Sequence, residues 1–395
     1  MQFKSVVLVE GKRTAIGGFG GSLSALSPAE LGTATARAVI ANTGIDPQAI
    51  DHAVYGHIIT TAPQDAYLAR HIALDSGLPQ SSAALNVNRL CGSGLQAVIS
   101  AAQMIEGGDS RIALAGGAES MSQGAYLLPK ARNGLRMGDG TVVDLTLGVL
   151  SDPFGSGHMG ITAENIAAKY GYSREQLDAF ALQSHRKAAR AITEGRFASQ
   201  IVPLTVRKGR QEAEFSQDEH VRLDAGADDF ARLKPAFKKE GLVTAGNASG
   251  INDGAASLLL CHADEAEKRG LKARARVLSS AFCGVDPQFM GMGPVGAVNR
   301  ALEQAGLSIH DLDVIESNEA FAAQAMAVAH ELGFPEERLN PNGGAVGMGH
   351  PVGATGAILT VKVLHELERV QGRYGLITLC IGGGQGIALV IERCN

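Results

Sequence analysis

The sequence predicts a layered α/β fold made of a duplicated α/β unit, with a loop-rich segment set between its halves. Three observations lead there. Apolar runs of strand length alternate with runs of helical spacing over 1–118, and again toward the C-terminus. At one offset of 262 residues, separated pieces of the chain match: Thr43-Gly44-Ile45-Asp46-Pro47-Gln48-Ala49-Ile50-Asp51 lies over Ala305-Gly306-Leu307-Ser308-Ile309-His310-Asp311-Leu312-Asp313, Ser93-Gly94 over Thr355-Gly356, and 111–114 over 373–376. A single offset shared by distant pieces marks an internal repeat. Between the repeats the pattern changes to long loops with Pro129, Pro153 and many glycines, then a charged, irregular stretch over 211–239.

The expected organisation is an N-terminal α/β half over 1–118, to which 248–268 returns, an inserted loop domain over 119–247 that covers a site, and a C-terminal α/β half over 269–395. In order, 6–9 reads as a strand. Ser27-Pro28-Ala29-Glu30 supplies an N-cap, a proline at the first helical position and an acid in the first turn, opening a helix to about residue 43. Strand 53–59, helix 65–76 and a short buried strand at 83–87 follow. Leu95, Val98, Ile99, Ala102 and Ile105 then recur at helical spacing, giving a helix over 92–106. A buried strand at 111–116 ends in Gly116-Gly117. In the insertion, 162–170 and 173–192 read as helices. In the last part, strands at 257–260, 313–316 and 376–379 and a helix at 357–367 complete the count.

Charged residues make up 19% and the net charge is −5, so neither nucleic acid nor an anionic membrane is favoured as a partner. The five cysteines are odd in number and widely spaced, and no Cys-x-x-Cys occurs, which disfavours a disulfide framework or a structural zinc site. That usage suits a reducing, cytoplasmic compartment. No leader is expected at the N-terminus, no uncharged apolar run reaches the ~18 residues of a membrane span, and Glu392-Arg393-Cys394-Asn395 is not a peroxisomal signal. Gly155-Ser156-Gly157-His158-Met159-Gly160 fits a dinucleotide fingerprint, but it follows Asp152-Pro153-Phe154 and not a strand, so its context fails.

The chemistry centres on Asn88-Arg89-Leu90-Cys91-Gly92-Ser93-Gly94, where a strand turns into a helix. Free N–H groups at a helix start favour a thiolate, which predicts a Cys91 pKa below the usual ~8.5. Under the repeat Cys91 corresponds to Gly353, and His350 stands three residues earlier on the equivalent loop. Two equivalent loops related by a pseudo-twofold axis meet near that axis, which brings Cys91 and His350 together. Cys380 and Asn318 each end a predicted strand beside further loops. Two thiols and an imidazole in such positions suggest nucleophilic catalysis with acid–base help.

Asn88 to Gly94, Asn318-Glu319-Ala320-Phe321, Gly349-His350-Pro351-Val352-Gly353 and Cys380-Ile381-Gly382-Gly383-Gly384-Gln385-Gly386 resemble the four signature segments of the thiolases, as do His158-Met159-Gly160 and Ala245-Gly246-Asn247-Ala248-Ser249-Gly250. The likeness runs through essentially the whole chain in matching order. It implies a thiolase fold with mixed five-stranded sheets in an α-β-α-β-α arrangement. It implies reversible Claisen condensation of acetyl-CoA with acyl-CoA to 3-ketoacyl-CoA plus CoA, an acetyl-CoA C-acetyltransferase or C-acyltransferase activity on short chains. Cys91 would be acylated, His350 would take the thiol proton, and Cys380 would deprotonate the second acetyl group. Asn318 would hold a water beside the enolate, and the N–H groups of Cys91 and Gly382 would face the tetrahedral intermediate.

For coenzyme A the resemblance points to Leu150, His158, Met159, Arg222, Ser249, Ala320 and Phe321, with Met290 on the acyl pocket. It implies no permanently bound cofactor, no metal, and a dimer pairing into a homotetramer through about 123–141. Asp229 departs from the hydroxyl residue common near that place. The segment from Thr61 to Arg70 also departs from acetoacetyl-specific members and looks more like ketothiolases that accept longer acyl chains. A ketoacyl synthase-like condensing enzyme would lack Cys380, and a non-catalytic lipid-binding relative would be expected to lose Cys91, His350 or Cys380.

Overall fold

A computed structural model describes residues 1–209 and 211–394; Asn395, the end of the expected C-terminal half and of the C-terminal tetrapeptide, lies outside the described residues. The first half runs β1 (Val6–Thr14), α1 (Pro28–Thr43), β2 (His52–Gly56), α2 (Leu68–Asp75), β3 (Ala83–Val87), α3 (Ser93–Gly107) and β4 (Ile112–Ser120). After the loop-rich stretch come α4 (Gly160–Tyr170), α5 (Arg174–Thr193) and β5 (Asn252–His262). The second half runs β6 (Ala275–Gly284), α6 (Gly293–Ala305), β7 (Val314–Ser317), α7 (Ala322–Leu332), α8 (Thr355–Val370), β8 (Tyr374–Ile381) and β9 (Gln385–Arg393).

The repeat seen in the sequence is a repeat of topology. The first half orders its strands β3-β2-β4-β5-β1, and the second β7-β8-β9-β6. Strand β5 is antiparallel to both β1 and β4, while β2 runs parallel to β4 and β3. Likewise β9 is antiparallel to β6 and β8, and β7 is parallel to β8. The fifth place in the second half shrinks to a parallel bridge between Ile315 and Leu339. The halves join where β1 meets β6 antiparallel, at Val7–Arg276 and Leu8–Ala275.

Alternation along the strands assigns successive residues to opposite layers. Val6, Leu8, Leu258, Leu260, Leu389 and Ile391 face a central core filled by α3 and α8. Val7, Val9, Leu259 and Cys261 face α1 and α2, and Ala388 and Val390 face α6 and α7. The result is five layers, with helices outside and between the two halves of one continuous sheet.

Helix α1 starts where its cap predicts: Ser27 Oγ accepts the Glu30 N–H, and the Glu30 carboxylate accepts the Ser27 N–H at 2.8 Å. Helices α3 and α8 start at Ser93 and Thr355, an offset of 262, and they cross at Gly94 and Gly356. A Cβ at Gly94 would stand 2.8 Å from Ala357 N, and one at Gly356 would stand 2.2 Å from Leu95 N. Only hydrogen at both places lets the backbones approach so closely.

Several sequence expectations are corrected. Strand β3 is not buried: it ends the strand order and pairs only with β2, which leaves its other edge uncovered and Ala83, Ala84 and Leu85 exposed. Strand 53–59 ends at Gly56, where a Cβ would strike the Ser93 backbone. The expected helix 65–76 is a 3-10 turn (Pro63–Tyr67) followed by α2. Strand β4 does not stop at Gly116-Gly117 but runs through them to Ser120, since both glycines pack flat against neighbouring backbone, 2.2 Å from Ala256 O and Gly353 O to a would-be Cβ. The stretch 211–239 is not all irregular: Gln211–Phe215 forms a hairpin with Leu204–Lys208, and Ala227–Ala231 is a short helix.

Candidate active site

Cys91 sits in a strained turn. Leu90 just before it adopts φ +46, which a branched side chain rarely tolerates. Asn88 Oδ1 accepts the Leu90 N–H at 3.0 Å, and Ser93 Oγ donates to Leu90 O at 2.7 Å while accepting from Arg89 N at 2.8 Å. These bonds hold the turn against its backbone preference.

The thiol is desolvated, and burial pushes its pKa up to about 11, against the N–H groups of Gly382 and Cys91, which hydrogen-bond the sulfur and favour its anion; the Glu119 charge adds to the rise. The expected lowering is therefore corrected: loss of water outweighs the helix-start donors. Those two donors are the pair the resemblance named. Cys380 is buried at the end of β8, and burial, with Cys91 nearby, pushes its thiol well above the ordinary range.

His350 is buried, and burial holds its pKa down at about 4, so the ring is neutral at physiological pH. Its Nδ1 lies 2.7 Å from Thr355 Oγ1, and Asn318 Nδ2 lies 3.4 Å from Nε2. Thr355 Oγ1 is also 2.9 Å from Pro351 O. The hydroxyl can donate to that carbonyl and accept from Nδ1–H, or turn and donate to Nδ1. The first arrangement leaves a lone pair on Nε2, and the second puts the proton there. The His350 N–H donates to Asn252 Oδ1 at 2.9 Å. Asn318 follows β7, its N–H donating to Thr378 O at 2.9 Å, and its buried Oδ1 has no protein partner.

Around these groups lie two apolar clusters. Cys380 packs with Met159, Met290, Ala320 and Phe321. Cys91 and Leu150 pack with Ile58, Ile59, Met121 and Val352. At Gly382 a Cβ would stand 2.2 Å from Met159 Cε and 3.4 Å from Leu90 Cδ1, so the glycine keeps space between the two clusters. His158 stacks on Phe237, centroids 4.5 Å apart, and Phe237 meets Phe321 edge-on; burial lowers the His158 pKa. Ser249 is joined to Ala320 through its N–H, 3.0 Å from Ala320 O.

Arg222 and Asp229 stand apart from these, lining one cavity with His185, His220, Phe230 and Leu233. Asp229 is ion-paired to Arg232, and the Gly226 N–H and Arg232 hold its carboxyl below the usual range. Among the described residues no group of His, Cys, Asp and Glu could hold a metal ion.

Sequence reading missed Thr355, Asn252, Glu119 and His57. Thr355 had a signal, because the repeat places it over Ser93, and both hydroxyls donate to a carbonyl just upstream of their helix. The other three act across long sequence separations that no local pattern reveals.

A desolvated thiol under two backbone donors, with a neutral imidazole on the loop whose Val352 packs in the same cluster, is equipment for covalent acyl transfer, and the duplicated five-layer fold defines the class as the condensing enzymes. Residues 6–264 match the family described as thiolase, N-terminal domain, and residues 271–393 match thiolase, C-terminal domain. The chain belongs to the thiolase family and is an acyltransferase of the Claisen-condensing kind. It is 56% identical over 392 residues to the beta-ketothiolase BktB of Cupriavidus necator, covering 99% of each chain. It is 49% identical to the acetyl-CoA acetyltransferase of Escherichia coli, covering 99% of this chain and all of that one. The human mitochondrial 3-ketoacyl-CoA thiolase in complex with CoA superposes with a TM-score of 0.96 at 38% identity, covering 99% of this chain and 98% of that one.

Proposed function

We propose that the chain condenses acetyl-CoA with a short acyl-CoA, reversibly, through an acyl-Cys91 intermediate. The observation that carries this reading is the pair of N–H groups, Cys91 and Gly382, on the Cys91 sulfur, together with a neutral His350 on the loop whose Val352 packs in the Cys91 cluster. A resting thiolate is disfavoured here. The proton therefore passes to His350 Nε2 as the sulfur attacks the thioester carbonyl, and the same two N–H groups stabilise the tetrahedral oxyanion. Coenzyme A leaves as the thiol, taking its proton from Cys380, so that a Cys380 thiolate and a protonated His350 remain. Cys380 then removes a proton from the α-carbon of a second acetyl group, and the enolate attacks the acyl-enzyme. At that step the protonated Nε2 donates to the enolate oxygen beside a water on Asn318, while Thr355 Oγ1 accepts from Nδ1–H and donates to Pro351 O, and Cys91 takes the proton back from Nε2 as the product leaves it. Thiolysis follows the same path backwards.

Coenzyme A thioesters are the substrates in this reading. The pantetheine arm would pass Leu150, His158, Met159, Ala320 and Phe321 toward Ser249, with Met290 on the acyl side. Arg222 would lie near the nucleotide, where Asp229 is turned to Arg232. The segment 119–247 would cover the coenzyme. We further propose a homotetramer in a reducing, cytoplasmic setting. The unpaired edge of β3 and the exposed Tyr126, Leu127, Leu128, Leu135 and Met137 support the assembly, and five free cysteines support the setting. No helix among the described residues is long and apolar enough to cross a membrane.

Intact-protein mass after mixing with acetyl-CoA tests the core of this reading. One added acetyl group in the wild type, absent in Cys91→Ala, is expected; an adduct that persists in the variant sinks it. Activity with 3-ketopentanoyl-CoA or 3-ketohexanoyl-CoA comparable to that with acetoacetyl-CoA is also expected, and negligible activity on both would reject the longer-chain assignment.

A further inference from the structure

Beside the Cys91 cluster lies a buried charge cluster that the reaction above does not use. His57 follows β2, Glu119 ends β4, and Asp65 sits in the 3-10 turn Pro63–Tyr67. All three are buried. His57 Nδ1 lies 3.0 Å from both Glu119 Oε1 and Ala118 O, and the buried Nε2, which makes no hydrogen bond, lies at ion-pair distance, 3.5 Å, from Asp65 Oδ2. An imidazole flanked by carboxylates on both ring nitrogens is complementary to them only when both nitrogens carry protons.

The carboxylates are anchors for backbone. Glu119 Oε2 accepts the Gly353 N–H at 2.8 Å, on the loop that carries His350. Glu119 Oε1 accepts the Ile59 N–H at 3.1 Å and the Ile58 N–H at 3.4 Å. Ile58 and Ile59 are the apolar wall around Cys91. Asp65 Oδ2 accepts from the N–H and hydroxyl of Thr61, at 2.6 and 2.7 Å, and from Ala62 N–H at 3.1 Å, closing the segment after that wall. A Cβ at Gly353 would stand 2.3 Å from Glu119 Oε2.

We propose that His57 is a positioning residue of the acyl site, an imidazolium clamped between Glu119 and Asp65 that ties the wall around Cys91 to the His350 loop and offsets the Glu119 charge beside the nucleophile. The proposal rests on the assignment of Cys91 as nucleophile and goes beyond it. The ionisable groups that bear on the cluster are Asp65 from the turn, Glu119 from β4, Asp253 from β5, which the Glu119 charge helps to raise, and Cys91 itself. Burial alone would lower the His57 pKa, but Glu119, Asp65 and Ala118 O outweigh it and hold it up at about 10.

The decisive measurement is the rate of Cys91 alkylation by iodoacetamide at pH 8, where His57, held up at about 10, still carries its charge, followed by the mass of the Cys91 peptide. In His57→Asn the rate should fall by about tenfold, because Glu119 is left uncompensated and less of the thiol is ionised. In His57→Asn/Glu119→Gln it should return toward wild type, since the amide oxygen still accepts a backbone N–H without the charge. An unchanged rate in folded His57→Asn overturns the proposal. Should that variant not fold, neutron diffraction of wild-type crystals at pH 8 decides: deuterium on both His57 ring nitrogens is expected, and on only one refutes it. Neither readout needs turnover, so failure here is separable from failure of the acyl-Cys91 reading, which the acetyl adduct tests.

Discussion

Thr355 Oγ1 lies 2.7 Å from His350 Nδ1 and makes its other hydrogen bond to Pro351 O. That one rotatable hydroxyl decides which face of the imidazole carries a proton. Replacing it with an isosteric methyl tests this relationship directly. Thr355→Val should lower kcat by about 10- to 100-fold, the worth of one buried hydrogen bond whose partner is left behind, while KM for acetyl-CoA stays within about twofold. Thr355→Ser should recover most of the loss. Equal losses in both variants would show that packing, not the hydroxyl, matters.

The acid limb of activity should lie unusually low. His350 must be neutral to accept the Cys91 proton, and its pKa is held down at about 4. Thiolysis of acetoacetyl-CoA, measured as kcat/KM, should be flat from about pH 7 down to pH 5.5 and fall only below that, as the base becomes protonated. A limb centred near the ordinary histidine value of about 6.5 would contradict the burial argument.

Asn318→Asp gives the matching perturbation. A carboxylate 3.4 Å from Nε2 in place of the amide would favour the imidazolium. The acid limb should then move up by about one unit or more, with a large fall in kcat. Asn318→Ala should lose kcat as well but leave the limb where it was.

Stability should also depend on pH, with signs set by burial. Burial holds His350, His185 and His365 down at about 4, with nearby positive charge adding for the last two. Between about pH 6.5 and 4 the unfolded chain binds protons that the folded one does not, so stability falls as pH drops through that window. His57 has the opposite sign. Its folded pKa of about 10 means its contribution is complete below about 6.5 and is lost as pH rises toward 10. Tm measured across pH should therefore fall on both sides, and His57→Asn should flatten the alkaline side. An alkaline slope identical in the two proteins would remove His57 from the explanation.

Gly356→Ala should destabilise the fold by about 2–3 kcal/mol, as overpacking against fixed backbone does, because the new Cβ would stand 2.2 Å from Leu95 N. Thermal denaturation would show it, and a Tm within about 1 °C of wild type would mean the helices can part.

Much of this was legible in the chain. The offset of 262 foretold two equivalent helices, expected over 92–106 and 357–367 and found to start at Ser93 and Thr355, and the cap at Ser27 marked where α1 begins. What escaped sequence reading was whatever depends on solvent. The rise in the Cys91 pKa follows from how completely the fold excludes water, which no helix-start rule contains. Exposure of Ala83, Ala84 and Leu85 follows from strand order, set by partners far along the chain. The bond between Glu119 and the Gly353 N–H spans 234 residues, so only the assembled fold reveals it.

The reciprocal contact of Gly94 and Gly356 has a consequence for how such a site can change. Each glycine belongs to the helix that follows one functional loop and touches the other helix, so the spacing of nucleophile and base is not a free variable of either half. A shift that improves the seat of Cys91 drags the seat of His350 with it. Variation that alters specificity is thereby channelled away from the crossing, into the walls that line the acyl group and the loops that lie over it.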